Sequence, residues 1–595
     1  MKLKNLEVLA LDCQATSNNP KTGILLEMGW MKTRASEGFD PEKLDERAEV
    51  YLVQPPEDFT IPQRIMKMTG IESHELEHIL TRRAVWHRLK RAAKKTAEVN
   101  NQRLCHTVIH FSRYEERFLW ALHKEFSART EFPFHIICTH DLSRLLLPGL
   151  PRKGLRAVAG YFGRALPVHR RSLTHVGATA FIWHHLIQNL SDSYGIKTLK
   201  DLIDWLGQSP SASHTNNTRE YPMNRELRLN LPEDPGIYKL HRSSGDILYI
   251  GKAKSLKRRV NSYFQKRGRQ GEHILEMLSQ AKLITTEPTE TALEAALKES
   301  DEIKKLSPPY NIALQKRERQ VVFFSKDLMS CEEAPSLDHP LGPFSTTVIM
   351  DSWASMMAVL NKNHIKRIKP TAIETMLGTP PEYAPHKECF VQGVQMFKNE
   401  YRDLSKGRYS LSSLIRLGSF FWKERLDEMA AEKKERKEEQ GEEDGVPFEL
   451  EIEEAAVDLP SWSPEKVVRA FKSIIRTGAH QARRARWFCR LSESALIWDK
   501  KGSTGQTKNI VVFEQGKILS RRTVESLVEK PVPLGFGRTY LERQTNLDLT
   551  AFDRMRILTT EIKRLLGEER GVEICLGPDT ILKEEQLQRI LKWVS

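Results

Sequence analysis

Two tyrosines stand eleven positions apart, each inside a short apolar run: Gly236-Ile237-Tyr238 and Tyr249-Ile250-Gly251. Both runs read as strands and Ser243-Ser244-Gly245-Asp246 reads as a turn, so a hairpin should bring the two phenols together. After it, Ser255–Gln265 has helical spacing that sets Lys252, Arg259 and Tyr263 on one side. Residues 252–269 hold eight basic and no acidic side chains, Lys254, Lys257 and Arg258 among them, interleaved with Tyr263 and Phe264. Positive charge beside stackable rings suits a phosphodiester backbone. A second helix over Thr289–Leu306 carries a stripe of Leu293, Ala296, Leu297 and Ser300. Glu299 lies at its margin, where a carboxylate can reach the same cleft. Asn311 ends the unit in the turn Pro308-Pro309-Tyr310-Asn311.

Taken singly, each of these residues has an ordinary reading. The tyrosines suit half-buried strand positions, Arg259 a solvated helix face, Glu299 any surface. Packing alone does not call for the ordered set within some ninety residues.

That set, GIY, then YIGKAKSLKRRV, then a glutamate, then PPYN, resembles the GIY-YIG nuclease domain. The version it is most similar to opens the UvrC nucleotide-excision-repair subunit and occurs in shorter single-incision relatives. The resemblance covers 227–315 and implies roles position by position. Glu299 would bind one divalent ion, Mg²⁺ or Mn²⁺, in the manner of phosphoryl-transfer sites that use one carboxylate plus waters and phosphate. Tyr249 would help deprotonate the attacking water. A phenol with a pKa of about 10 is a poor base at neutral pH, so Lys252 and Arg259 would favour its phenolate and offset transition-state charge. Tyr238 would orient the water or the base, Asn311 would hold the cleft together, and Lys254, Lys257, Arg258 and Tyr263 would contact DNA. One departure is plain: Ser300-Asp301-Glu302 stands where the family usually carries apolar residues, making Glu302 a rival ligand. The twelve-residue step from Glu299 to Asn311 keeps the family register and favours Glu299.

Residues 1–205 alternate strand-like and helix-like patterns, with strands expected at Glu7–Asp12 and Gly23–Trp30 and helices around Tyr114–Phe126 and Ala178–Ile187. Asp12-Cys13-Gln14-Ala15-Thr16 resembles the first motif of DnaQ-like (DEDD) 3′–5′ exonucleases. Met68-Thr69-Gly70-Ile71, the stretch His110–Leu119 and the stretch Arg170–Ala180 resemble later segments. Such enzymes hold two divalent ions between four carboxylates and use a histidine base. Here the acidic positions become Asp12, Gln14, Glu115 and His175, and the base position becomes Arg170. The resemblance therefore implies the fold, with a degenerate site suited to DNA binding or partner docking rather than catalysis. An alternative is that these residues merely replaced a lost site.

The chain of 595 residues has room for about four domains. The fold class expected is α/β and α+β multidomain. An RNase H-like mixed sheet fills 1–207 and a linker 208–226. The small GIY-YIG domain follows at 227–315, a mainly helical region at 316–430, a charged linker at 431–460 and an α+β region at 461–595. In the last, Arg486–Trp498 and Asn509–Ile518 read as paired strands, with a helix from Asp548 and a final one over Glu584–Val594. Trp353, Trp422, Trp462 and Trp593 read as core, and Arg483, Arg484 and Arg486 beside Trp487 as a solvated helix end in preference to a track for DNA.

A net charge of +14 favours a polyanionic partner. No apolar run is long enough to span a membrane, and no signal peptide is expected. Seven scattered cysteines without a C-x-x-C pair argue against zinc and iron–sulfur sites and for a reduced, cytoplasmic setting. A complete UvrC subunit would add an RNase H-like nuclease and helix–hairpin–helix motifs, neither of which is legible in 316–595. The resemblances together imply one metal-dependent endonuclease centre acting in DNA repair, with DNA and a damage-recognition helicase as partners. A defence or mobile-element nuclease, a non-catalytic DNA-binding scaffold, and residual exonuclease activity sustained by Asp12 and Glu115 on one ion are the alternatives.

Overall fold

A computed structural model of the chain describes residues 1–56, 59, 61–71, 79–167, 169–208, 219–265, 270–311, 320–362, 369–379, 383–405, 408–440, 462–500, 507–525, 538–576 and 580–594. Most of the expected linker at 208–226, the basic residues at 266–269 and most of the charged stretch at 431–460 lie outside the described residues. The chain forms two compact units, one of residues 1–295 and 305–315, the other of 296–304 and 316–595.

The first unit holds two sheets. Strands β1 (Val8–Ala15), β2 (Leu25–Thr33), β3 (Ala48–Leu52), β4 (Cys105–Ile109) and β5 (Phe134–Cys138) lie in the order β3-β2-β1-β4-β5. The first three pair antiparallel, while β1, β4 and β5 run parallel. Every residue of β1 is buried, as a near-continuous apolar run in a two-faced parallel strand requires. Helix Ser172–Tyr194 packs on β1 and β2, and helix Arg82–Val99 starts where the Thr81 side chain accepts the Ala84 N–H. Trp30, Trp86 and Trp183 are fully buried in the layers around the sheet.

The second sheet is antiparallel, with β6 (Gly236–His241) between β7 (Ile247–Ala253) and β8 (Leu283–Pro288). The expected hairpin is present, closed by the Gly245 N–H donating to Arg242 O. Strand β8 has no counterpart in the sequence reading, nor does helix Glu272–Leu278. Helix Leu256–Ser262 begins at Ser255, whose hydroxyl accepts the Arg258 N–H. Helix Ala292–Leu306 has the expected buried stripe, Leu293, Ala296, Leu297 and Ser300, with Ala295 added.

In the second unit a three-stranded sheet (Cys331–Glu332, Val322–Phe324, Leu341–Phe344) accompanies helices Val348–Leu360, Lys387–Glu400, Leu411–Gln440 and Pro464–Leu491. Trp353, Phe390, Phe397, Phe421 and Phe471 fill their common core. A five-stranded antiparallel sheet centred on Glu493–Asp499 packs with helices Leu549–Glu568 and Glu584–Val594. The expected strand over Arg486–Trp498 is corrected. Residues 464–491 are one helix, because Val467, Val468, Phe471, Ile475 and Ala479 recur at helical spacing, and only Glu493–Asp499 is strand. Arg483 and Arg484 are half-buried on that helix, lying over Trp593 and Phe488, and Arg486 is exposed. Of the four tryptophans expected in the core, Trp353 is fully buried and the other three are half-buried. Among the described residues no helix is long and apolar enough to cross a membrane.

Two ion pairs fasten residues 296–304 within the second unit. Arg554 grips Asp301 with Nε and Nη2 at 3.0 and 2.8 Å, and Lys304 Nζ lies 3.1 Å from the buried Asp553 Oδ2. Asp301, one of the charged residues at a normally apolar stretch, is thereby given a partner. Asp553→Ala leaves Lys304 buried without this counter-charge. Urea unfolding should show a loss of about 3–5 kcal/mol, and an unchanged midpoint would remove the pair from the stabilising contacts.

Candidate active site

Strand register sets the geometry of the tyrosines. Tyr238 on β6 pairs with Gly251 on β7, two residues past Tyr249. A Cβ at position 251 would sit 2.4 Å from Tyr238 Oη and 2.8 Å from Tyr249 Cε1, so glycine is the one residue that leaves room for both rings. Their centroids are 6.1 Å apart. Tyr238, 0% exposed, shares a 2.8 Å hydroxyl hydrogen bond with Tyr263, which is 8% exposed. Tyr263 therefore offers little surface to a nucleic-acid base and belongs to the interior of the cluster. The Arg259 guanidinium lies 5.2 Å from the Tyr263 ring centroid.

Burial, followed by the neighbouring phenols of Tyr263 and Tyr249, pushes the Tyr238 hydroxyl well above the usual phenol range, against the pull of Arg259. Tyr238 is thus neutral and suited to orienting a partner through its hydrogen bond. Desolvation works against the Arg259 charge, but Tyr238, Tyr263 and Tyr249 outweigh it and raise its pKa. Lys252, Lys254 and Arg258 are exposed beside the cluster, and Lys257 Nζ is 3.9 Å from Glu233 Oε1.

Asn311 joins the group by a different route. Its side chain accepts the Ile250 N–H at 2.9 Å and donates to Ile250 O at 2.8 Å, so one amide satisfies a buried peptide next to Tyr249 in the manner of a strand partner. Glu299 is half-buried on helix Ala292–Leu306, and Glu302 follows on the same helix. Glu299 offers one half-buried carboxylate, the number of protein ligands a Mg²⁺ ion commonly takes when waters and phosphate complete its shell.

The first sheet gathers four of its five singled-out residues. Gln14 Nε2 donates to Asp12 Oδ2 at 2.7 Å, and His175 Nδ1 is 3.2 Å from Asp12 Oδ1. Glu115, buried at the start of helix Glu115–Phe126, is held well above the usual carboxylate range by burial and then by Asp12, and so favours its neutral form. Arg170 is exposed, with its backbone N–H on Met68 O. With Gln14 and His175 beside Asp12 and Glu115, the gathered set offers two carboxylates, too few to offset the charge of a pair of divalent ions.

Sequence reasoning missed Glu27. It is 1% exposed, opposite Gln14 in the register, and accepts from Arg171 Nε at 3.0 Å and Ser172 N at 2.6 Å. A lone acid inside the apolar run Leu25–Trp30 was the available signal. Among the described residues one trio, Cys138, His140 and Asp141, places potential metal-ligand atoms within 4.8 Å of one another. A search for C-x-x-C spacing passes over it.

Fold and site together define a protein with two nuclease-type domains in tandem. Residues 9–170 match the exonuclease family model and residues 234–312 match the UvrC-like GIY-YIG domain model. The chain therefore joins an exonuclease-family domain to a UvrC-like GIY-YIG domain. It is 28% identical over 305 residues to a bifunctional exonuclease/endonuclease protein of Mycobacterium tuberculosis, covering 50% of this chain and 44% of the relative. It is 41% identical over 111 residues to the UvrABC system protein C of Geobacter metallireducens, covering 18% of each. The chain thus spans less than half the length of these relatives. A magnesium-bound GIY-YIG endonuclease domain of UvrC from Thermotoga maritima is 33% identical, with 15% of this chain and 100% of that one covered and a TM-score of 0.14.

The Glu115 shift has a sign that can be checked. Its folded pKa lies above the ordinary value of 4.5, so the proton that stabilises the fold is fully present below pH 4.5 and its contribution is lost as pH rises towards the folded value. Glu115→Gln should match wild-type thermal stability near pH 4 and exceed it increasingly from pH 5 to 8. A variant less stable at pH 8 than at pH 4, relative to wild type, would reverse the sign of the assigned shift.

Proposed function

We propose that the protein is a metal-dependent DNA endonuclease with one working centre, in the GIY-YIG domain, and that it incises DNA near damage. The single observation that carries the reading is the buried phenol cluster of Tyr238 and Tyr263 with Arg259, set beside Tyr249 on a strand that Asn311 pins.

In this reading Glu299 would hold the divalent ion, Mg²⁺ or Mn²⁺. When bound, such an ion supplies positive charge to the phosphoryl oxygens and lowers the pKa of water. Tyr249 Oη takes a proton from the attacking water, with Lys252 and Arg259 favouring its phenolate. Tyr238, neutral and hydrogen-bonded to Tyr263, orients the water or Tyr249. The water oxygen bonds to phosphorus as the P–O3′ bond breaks, and the leaving 3′-oxygen takes a proton from solvent, giving a 5′-phosphate and a 3′-hydroxyl. Lys254, Lys257 and Arg258 neutralise backbone phosphates on either side.

We infer further that the exonuclease-type domain does not cleave, since Gln14 and His175 occupy the carboxylate that remains at Asp12. DNA is the proposed substrate, and repair proteins such as a damage-recognition helicase are the proposed partners. Similarity over 234–312 to the UvrC-like domain model supports the repair setting.

Nicking of supercoiled plasmid, undamaged or ultraviolet-irradiated, with Mg²⁺ separates the alternatives. Glu299→Gln and Tyr249→Phe should each lower the rate by about a hundredfold or more, while Asp12→Ala leaves it within about twofold. Nicking that survives Glu299→Gln but disappears with Asp12→Ala would move the chemistry to the first sheet. Duplex binding with no cutting of any substrate would leave a scaffold.

A further inference from the structure

We propose that the exonuclease-type domain serves as a fixed abutment for the GIY-YIG domain, bearing through Gln280 and Tyr310 on the strand that carries Tyr249. This rests on the preceding reading for the importance of Tyr249. The geometry of the contact stands apart from it.

Helix Leu155–Tyr161 of the first sheet's domain lies against helix Glu272–Leu278 and the residues that follow it. Gly160 lies tight against Gln280, where a Cβ would stand 2.0 Å from Gln280 Oε1 and 2.4 Å from its Cδ. Gln280 is 0% exposed. Its Oε1 accepts from the buried Arg242 Nε at 3.1 Å, and its Nε2 donates to Tyr310 Oη. Tyr310 Oη in turn donates to Glu276 Oε1 at 2.6 Å. The Arg156 guanidinium stands over the Tyr310 ring at 5.5 Å, with its Nε 3.9 Å from the same Glu276 oxygen. Around this centre the Arg152 N–H donates to the buried Ser279 hydroxyl at 2.9 Å, and Lys282 Nζ lies 4.6 Å over the Tyr161 ring.

Gln280, Ser279 and Arg242 are polar groups withdrawn from water, and residues of both domains surround or bond them. Separating the domains would open these buried groups to water and break the Arg152 N–H bond to Ser279 and the Arg152–Glu272 and Arg156–Glu276 ion pairs, so the arrangement suits a permanent joint rather than a surface for transient encounters. The joint also leads to the site. The Tyr310 N–H donates to Leu248 O, and Asn311, the next residue, holds both polar groups of Ile250. Tyr249 lies between those two anchored residues. Arg156 and Gly160 are therefore positioning residues, acting through Tyr310 and Asn311.

Gly160→Leu drives a side chain into Gln280, and Arg156→Ala removes the cover of Tyr310 with little steric change. Hydrogen–deuterium exchange of the full-length variants reads the strand without any need for activity. Exchange at Leu248–Gly251 should quicken by about tenfold or more in Gly160→Leu and to a smaller degree in Arg156→Ala, while helix Pro464–Leu491 stays as protected as in wild type. Plasmid nicking should lose kcat by about tenfold, with KM for DNA within about twofold and partial recovery in Arg156→Lys. Unchanged exchange at Leu248–Gly251 in Arg156→Ala overturns the proposal, as does exchange that quickens equally in helix Pro464–Leu491. A wild-type protein that does not nick would defeat the catalytic reading yet leave the exchange result standing on its own.

Discussion

A glycine opposite a tyrosine is the constraint on which the GIY-YIG centre depends. With Gly251 across from Tyr238, the phenol ring can lie over the neighbouring strand, reach Tyr263 and remain beside Tyr249. Any side chain at 251 would collide with both rings. The consequences run outward from there. Tyr238 is buried and neutral, Arg259 stays a cation beside the phenols, and the basic helix that carries it is aimed by the Ser255 cap. The far side of the hairpin is held by Asn311, whose amide replaces a strand partner for Ile250.

The two sheets show how the same kinds of side chain give opposite electrostatic outcomes. On the first sheet, carboxylates are buried among groups that consume them: Gln14 and His175 take the oxygens of Asp12, Glu27 is spent on Arg171 and the start of a helix, and Glu115 is driven towards neutrality. On the second, the acid proposed as ligand is half-buried and lies in a domain rich in lysine and arginine, where a polyanion brings charge that an ion can bridge.

Much of this was legible in the sequence because it is local. The hairpin, its turn, the Asp548 cap on helix Leu549–Glu568, helix Glu584–Val594 and the stripe on helix Ala292–Leu306 all follow from spacing and cap residues. What escaped has non-local causes. Strand β8, Leu283-Ile284-Thr285-Thr286-Glu287-Pro288, is a half-exposed edge whose apolar and polar residues do not alternate, and helix Glu272–Leu278 is only seven residues long, so neither has a strong periodic signal. The C-terminal end of helix Pro464–Leu491 runs into strand Glu493–Asp499 through the buried Leu491 and Ser492, and a single apolar stretch concealed the change of period. Asp301 looked like a departure from a family pattern, and its reason, Arg554, is 253 residues away. Glu27 and Gln280 gave no local hint of their partners across the fold.

At the centre stands the claim that a divalent cation is held at Glu299 and not among Asp12, Gln14, Glu115 and His175. Crystals of the full chain grown in Mn²⁺, with diffraction recorded at the manganese absorption edge, test it most directly. One anomalous peak beside a Glu299 carboxylate oxygen, with none near Asp12, is the predicted result. A pair of peaks between Asp12 and Glu115, with nothing at Glu299, would contradict it.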